Sequence, residues 1–141
     1  MATKKSPKAK NINTEFDFKT IKSFEDACKK EGIDPTALPD ISMIPEEFRK
    51  AIISCYKLFI IFKAINNGWI PDWNNYDQYK YYPWFKILSS GSGFVFSYSY
   101  YGYHFTFTCV GSRLCFKTKE LAQYAGTQFI EIYRDYLTIK K

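Results

Sequence analysis

The hydrophobic pattern of this chain changes period partway along and then changes back. Phe48, Ala51, Ile52, Cys55, Leu58, Phe59, Phe62 and Ile65 recur at spacings of three and four, the repeat of a helix face. From Phe94 to Val110 the repeat becomes two. Phe94, Phe96, Tyr98 and Tyr100 alternate with Val95, Ser97, Ser99 and Tyr101, and Tyr103, Phe105, Phe107 and Cys109 alternate with His104, Thr106, Thr108 and Val110. Alternation among β-formers is the pattern of strands. Helical spacing returns through Leu121, Ala122, Ala125, Phe129, Ile132, Tyr133 and Tyr136. Helices at both ends and strands gathered in one stretch define an α+β domain.

Local signals set the boundaries. Ser23 and Asp26 in "SFEDACKKEG" have the spacing of a capping box, Phe24, Ala27 and Cys28 share a face, and Gly32 offers a stop. Pro45 suits a first helical turn, with Glu46 and Glu47 where the helix dipole favours acids, and Asn67-Gly68 ends the long helix. Ile53, Ile60 and Ile61 widen its apolar surface, so it is expected to be central and covered on more than one side. Tyr101-Gly102 and Gly111-Ser112 read as hairpin turns, with Arg113 to Lys117 as a further strand. Tyr82 to Leu88 is a fourth candidate, in which Pro83 belongs at the start or on an edge. Gly91-Ser92-Gly93 reads as a turn and fits neither glycine-rich phosphate template.

Thr118 caps a final helix. Gly126 inside it costs about 1 kcal/mol relative to alanine, offset if the helix packs closely on the sheet. The expected fold has two N-terminal helices, a small antiparallel sheet of three to four strands, and a C-terminal helix packed on the sheet's aromatic face. Residues 1–18 are expected to form a basic, disordered tail, and residues 19–141 a single α+β domain. A chain of 141 residues is long enough for one core and short for two.

Lys4, Lys5, Lys8 and Lys10 carry most of the net charge of +6; without them the chain has 16 basic against 14 acidic residues. Such an arm reads as a solvated end, or alternatively as a phosphate-binding segment. No apolar run reaches the length of a membrane span, and the basic start is not followed by a signal peptide's apolar segment. The expected setting is therefore the cytoplasm. Cys28, Cys55, Cys109 and Cys115 read as buried thiols, with a Cys109–Cys115 bridge as the alternative.

No reactive constellation stands out. His104 is the only histidine and cannot supply a zinc site by itself, and there is no G-x-S-x-G elbow. The sequence therefore suggests no catalytic residue, metal or small-molecule cofactor. Aromatic residues make up 20% of the chain and crowd the stretch from Trp69 to Phe85, beside amides and carboxylates. Trp69, Trp73, Trp84 and Phe85 are expected to pin the long connection between helix and sheet. Tyr76, Tyr79 and Tyr81, together with Tyr98 and Tyr101, are the candidates for contact with a protein partner or a second copy. The alternative is single-stranded nucleic acid, held by Lys4, Lys5, Lys8 and Lys10 and stacked near Tyr103, His104 and Arg113, with Lys80 and Lys117 adding charge.

The segments "GWIPDWNNYDQYKYYPWF", "SSGSGFVFS" and "GSRLCFKTKELAQYAGTQFIEIYRDY" resemble a set of small uncharacterised proteins of gut Bacteroides-type bacteria and their phages or prophages. The resemblance spans most of residues 21 to 137. It implies a phage-encoded role, such as a virion component or a factor acting during infection, and assigns no site residue.

Overall fold

The computed structural model describes residues 15–88, 93–103, 105–106 and 110–139. Lys4, Lys5, Lys8, Lys10, His104 and Cys109 lie outside the described residues, as does most of the Gly91-Ser92-Gly93 turn. The architecture is α+β: four helices and a two-stranded antiparallel sheet.

Helix α1 (Phe24–Glu31) starts at the capping box read in the sequence. Asp26 N–H donates to Ser23 Oγ and Ser23 N–H donates to Asp26 Oδ2, both at 3.1 Å. Gly32 closes the helix with φ +67°, a left-handed turn that glycine adopts without a Cβ penalty. Helix α2 (Glu46–Asn66) begins after Pro45 and ends where Asn67 takes a left-handed conformation. Its buried residues include Leu58, Ile60, Ile61, Phe62, Ala64 and Ile65, which lie on several sides of the helix, and it packs against α1 and α4. One stripe, Phe48, Ile52 and Phe59, stays open to solvent.

Strands β1 (Lys80–Leu88) and β2 (Gly93–Gly102) pair from Lys80–Gly102 to Leu88–Gly93. The C-terminal segment is two helices, α3 (Lys119–Gln128) and α4 (Ile130–Leu137), where one was expected. The break falls at Phe129, whose side chain is buried in the core while its backbone leaves helical geometry. Gly126 brings α3 onto the hairpin: a Cβ there would lie 2.6 Å from Phe96 Cδ2 and 2.7 Å from Pro83 Cβ. Below the hairpin, Phe62 stacks on Phe116 at 4.0 Å, and Phe85 meets Phe94 and Tyr133, each at 4.6 Å. Fully burying each such ring contributes roughly 1.5–3 kcal/mol.

Three expectations about the sheet change. Among the described residues it has two strands, and Tyr103, Phe105 and Thr106 belong to neither. Arg113 to Lys117 supplies only an isolated antiparallel bridge, Phe116 to Tyr81. Leu114, Cys115 and Phe116 are buried in succession between exposed Arg113 and Lys117, so the middle of this segment is an enclosed connector rather than a half-exposed strand. The Asn66 side chain satisfies its backbone, donating to Cys115 O at 2.9 Å and accepting from Lys117 N–H at 3.2 Å.

The third change concerns the faces. Trp84 opposes Tyr98 and Phe85 opposes Phe96, which leaves Ser97 of β2 without an opposite residue. This bulge shifts the alternation by one. Phe94 and Phe96 point towards α3 and the core, whereas Tyr98 and Tyr100 emerge on the other side beside Trp84. The expected division into one aromatic and one Ser/Thr-rich face therefore fails at the bulge.

Candidate functional site

The approach to the hairpin is held by a buried lysine. Lys80, 1% exposed, donates its ammonium hydrogens to the carbonyls of Asp72 and Asn75 and lies 5.3 Å from the centre of the Trp73 ring. Trp73 Nε1 donates to Ser112 Oγ at 2.6 Å, and Asp72 N–H to Gln78 Oε1 at 2.6 Å. A desolvated ammonium matched to two carbonyls and a ring face fixes the loop more firmly than apolar contact alone. Lys80 is thus a structural anchor and contributes no charge to the surface. Trp69, Trp73 and Phe85 are half-buried, as expected of anchors, but Trp84 is exposed on the outer face of the hairpin.

The fixed loop and hairpin present rings to solvent in two connected groups. In the first, Tyr79 stacks on Tyr101 at 4.8 Å and meets Tyr103 edge-on at 4.8 Å, with Tyr81 half-buried beside them. In the second, Trp84 lies 5.2 Å from Tyr98 and 5.5 Å from Tyr100. Tyr100 and Tyr101, their ring planes nearly parallel at 5.4 Å, join the two groups. Tyr79, Trp84, Tyr98, Tyr100, Tyr101 and Tyr103 are each 39–45% exposed, and Tyr76 is 65% exposed at the loop tip. Each ring pair adds on the order of 0.5–1.5 kcal/mol beyond area burial, which holds the surface in one arrangement.

The phenols sense one another. Hydrogen bonds to Tyr79 and then to Tyr101 push the Tyr103 phenol up to about 12. Burial, followed by the Tyr79 charge, raises that of Tyr81. Burial also pushes the Cys115 thiol up to about 11, a poor setting for a thiolate nucleophile.

Of the sequence candidates for protein contact, the structure brings Tyr79, Tyr81, Tyr98 and Tyr101 into this surface, with Tyr81 at its half-buried seam. Of those for nucleic acid, Tyr103 lies in the same surface, while Arg113 is exposed in the segment following Gly111. Trp84 and Tyr100 complete the outer group; sequence reasoning missed them as a pair because the bulge in β2 decides which of its residues share the side of Trp84. Among the described residues, no group of three or more His, Cys, Asp or Glu gathers to hold a metal. A cavity of about 40 Å³ between the hairpin and α4, bordered by Tyr82, Phe85, Leu114 and Tyr133, has room for a water or two. No described helix is long and apolar enough to cross a membrane.

No protein-family model, curated protein or solved structure matches this chain.

Proposed function

We propose that this is a non-enzymatic phage- or prophage-type protein, a structural or assembly component that works through protein contacts made by the aromatic surface of its hairpin. The observation that carries this reading is the run of pre-packed, half-exposed rings from Tyr79 to Trp84 and Tyr98. Tyrosine and tryptophan supply contact area at little cost in side-chain entropy and dominate interface hot spots. Residues 15–139 carry 14 basic and 14 acidic side chains, so the body offers little net charge to a phosphate backbone. The phage setting, in the host cytoplasm or a virion, rests on the sequence resemblance.

A second reading, single-stranded nucleic acid, is favoured by exposed Lys86 two residues from Trp84 on the same strand, a cation near a stacking platform. Phosphate contacts would come mainly from the N-terminal lysines.

One experiment separates the two. A photo-crosslinking amino acid replaces Tyr98 in the full chain, expressed in host cells, with and without Trp84→Ala. Protein crosslinks that disappear with Trp84→Ala support the contact surface. Absence of such crosslinks, together with tryptophan quenching by a single-stranded oligonucleotide that weakens steeply with salt, overturns it in favour of nucleic acid.

A further inference from the structure

The two outer edges of the hairpin differ in chemistry. On β1, Tyr81 exchanges hydrogen bonds with Phe116 (3.0 and 2.6 Å), Pro83 has no N–H, and Lys86 places a charge beside the strand. These are devices that keep an edge from pairing. Strand β2, "GFVFSYSYYG", is ten residues long with no charge and no proline.

The Tyr81 bridge also fixes which groups of β2 face outward. Tyr81 turns its N–H and C=O towards Phe116, so in the antiparallel pair its opposite number, Tyr101, turns its own away from β1, and Ser99 follows at period two. Among the described residues no strand pairs with that side of β2. A row of outward N–H and C=O groups along an extended strand is matched by another extended backbone.

We propose that a second copy of this chain fills that edge, β2 against β2 in antiparallel register, uniting two hairpins in one sheet of four strands. The proposal rests on the hairpin being a protein-contact surface and specifies how the contact is made. A strand paired antiparallel with itself forms an isologous interface that closes at two copies. The edge carries no charge that would repel its own copy or select an oppositely charged strand. Tyr98 and Tyr100 on one face and Tyr101 on the other are placed to make cross-strand ring pairs with their counterparts.

Sedimentation equilibrium of the full chain across the micromolar range tests this, comparing wild type, Ser97→Lys and Trp84→Ala. Ser97 is exposed and has no opposite residue on β1, so a lysine there leaves the hairpin in place while putting a charge on the otherwise uncharged edge, a device that blocks pairing. Wild type is expected to dimerise without forming larger species, and Ser97→Lys to raise the dissociation constant about tenfold or more at unchanged circular dichroism. Amide exchange at Ser99 and Tyr101 in wild type is expected to slow as concentration rises, a readout that needs no variant. A monomer at every concentration overturns the proposal, as does a dimer in which Ser99 exchange is independent of concentration. If Trp84→Ala abolishes the dimer and Ser97→Lys does not, strand pairing is wrong while the contact surface stands. A monomer that still gives the Tyr98 crosslinks to host or virion proteins leads to the same conclusion.

Discussion

Replacing Gly126 with alanine sets two physical effects against each other, and the sign of the result reports how closely α3 lies on the hairpin. In the interior of a helix the substitution favours folding by about 1 kcal/mol, because alanine loses less backbone entropy. Here the added methyl would sit 2.6 and 2.8 Å from two ring carbons of Phe96 and 2.7 Å from Pro83 Cβ. Favourable carbon–carbon contact begins near 3.5 Å, so close to 1 Å of room is missing. Phe96 is half-buried and its ring can swing, but Pro83 is fixed by its own ring and by pairing in β1. Moving the helix or the strand to make room costs about 1–3 kcal/mol. The balance is a net loss of about 1 kcal/mol for Gly126→Ala, or roughly 3–6 °C in melting temperature, and a larger loss for Gly126→Val. Urea denaturation followed by circular dichroism measures it, with exposed Thr127→Ala as a reference for helix propensity alone. If Gly126→Ala stabilises the protein by about 1 kcal/mol and valine is no worse, the close approach of α3 to Pro83 and Phe96 is wrong.

Two further outcomes follow from the site. Lys80→Met keeps an unbranched chain one atom shorter but leaves the carbonyls of Asp72 and Asn75 without their donor and removes the cation from Trp73. The expected loss is about 2–3 kcal/mol, with faster amide exchange in residues 72–78; a change within about 0.5 kcal/mol would refute the anchoring role. Tyr103 keeps its proton in the folded protein up to about 12, against a reference value of 10.0. Its contribution to stability is therefore complete below pH 10 and is lost as pH climbs towards 12. The urea midpoint of Tyr103→Phe should accordingly fall less steeply than that of wild type across that window, and equal slopes would refute the hydrogen-bonded phenol cluster.

The helices were legible because their signals are local. Ser23 and Asp26 cap the first, and Pro45 and Asn67-Gly68 bracket the second, within a few residues of where the structure places the ends. Sheet membership depends on distant partners. Pro83 made β1 look the weaker strand, yet it is the partner of β2, while Leu114, Cys115 and Phe116 were drawn into the interior. The exposure of Tyr76 and Tyr79 was readable from their polar neighbours. Trp84 faces out because it neighbours inward-facing Phe85 in β1, but the rings beside it were not readable, because "FVFSYSY" alternates without a flaw on paper and only pairing against β1 shows that Ser97 is an extra residue. Lys80 misled in a similar way: a lysine ordinarily reads as solvent-exposed, and its burial depends on carbonyls that only the folded loop presents.

The bulge at Ser97 also has a consequence for how such a chain can diverge. Upstream of it, Phe94 and Phe96 are constrained by Gly126, Phe85 and the helices beneath them. Downstream, Tyr98 and Tyr100 contact mainly surface rings, with buried Tyr82 meeting Tyr100 edge-on at 6.3 Å. Substitutions at those two positions can therefore accumulate without compensating changes in the interior, which leaves the outer face open to retargeting while the scaffold is inherited intact. A single-residue deletion at Ser97 keeps the same division, because Phe96 and Tyr98 then become neighbours and ordinary alternation sets them on opposite faces.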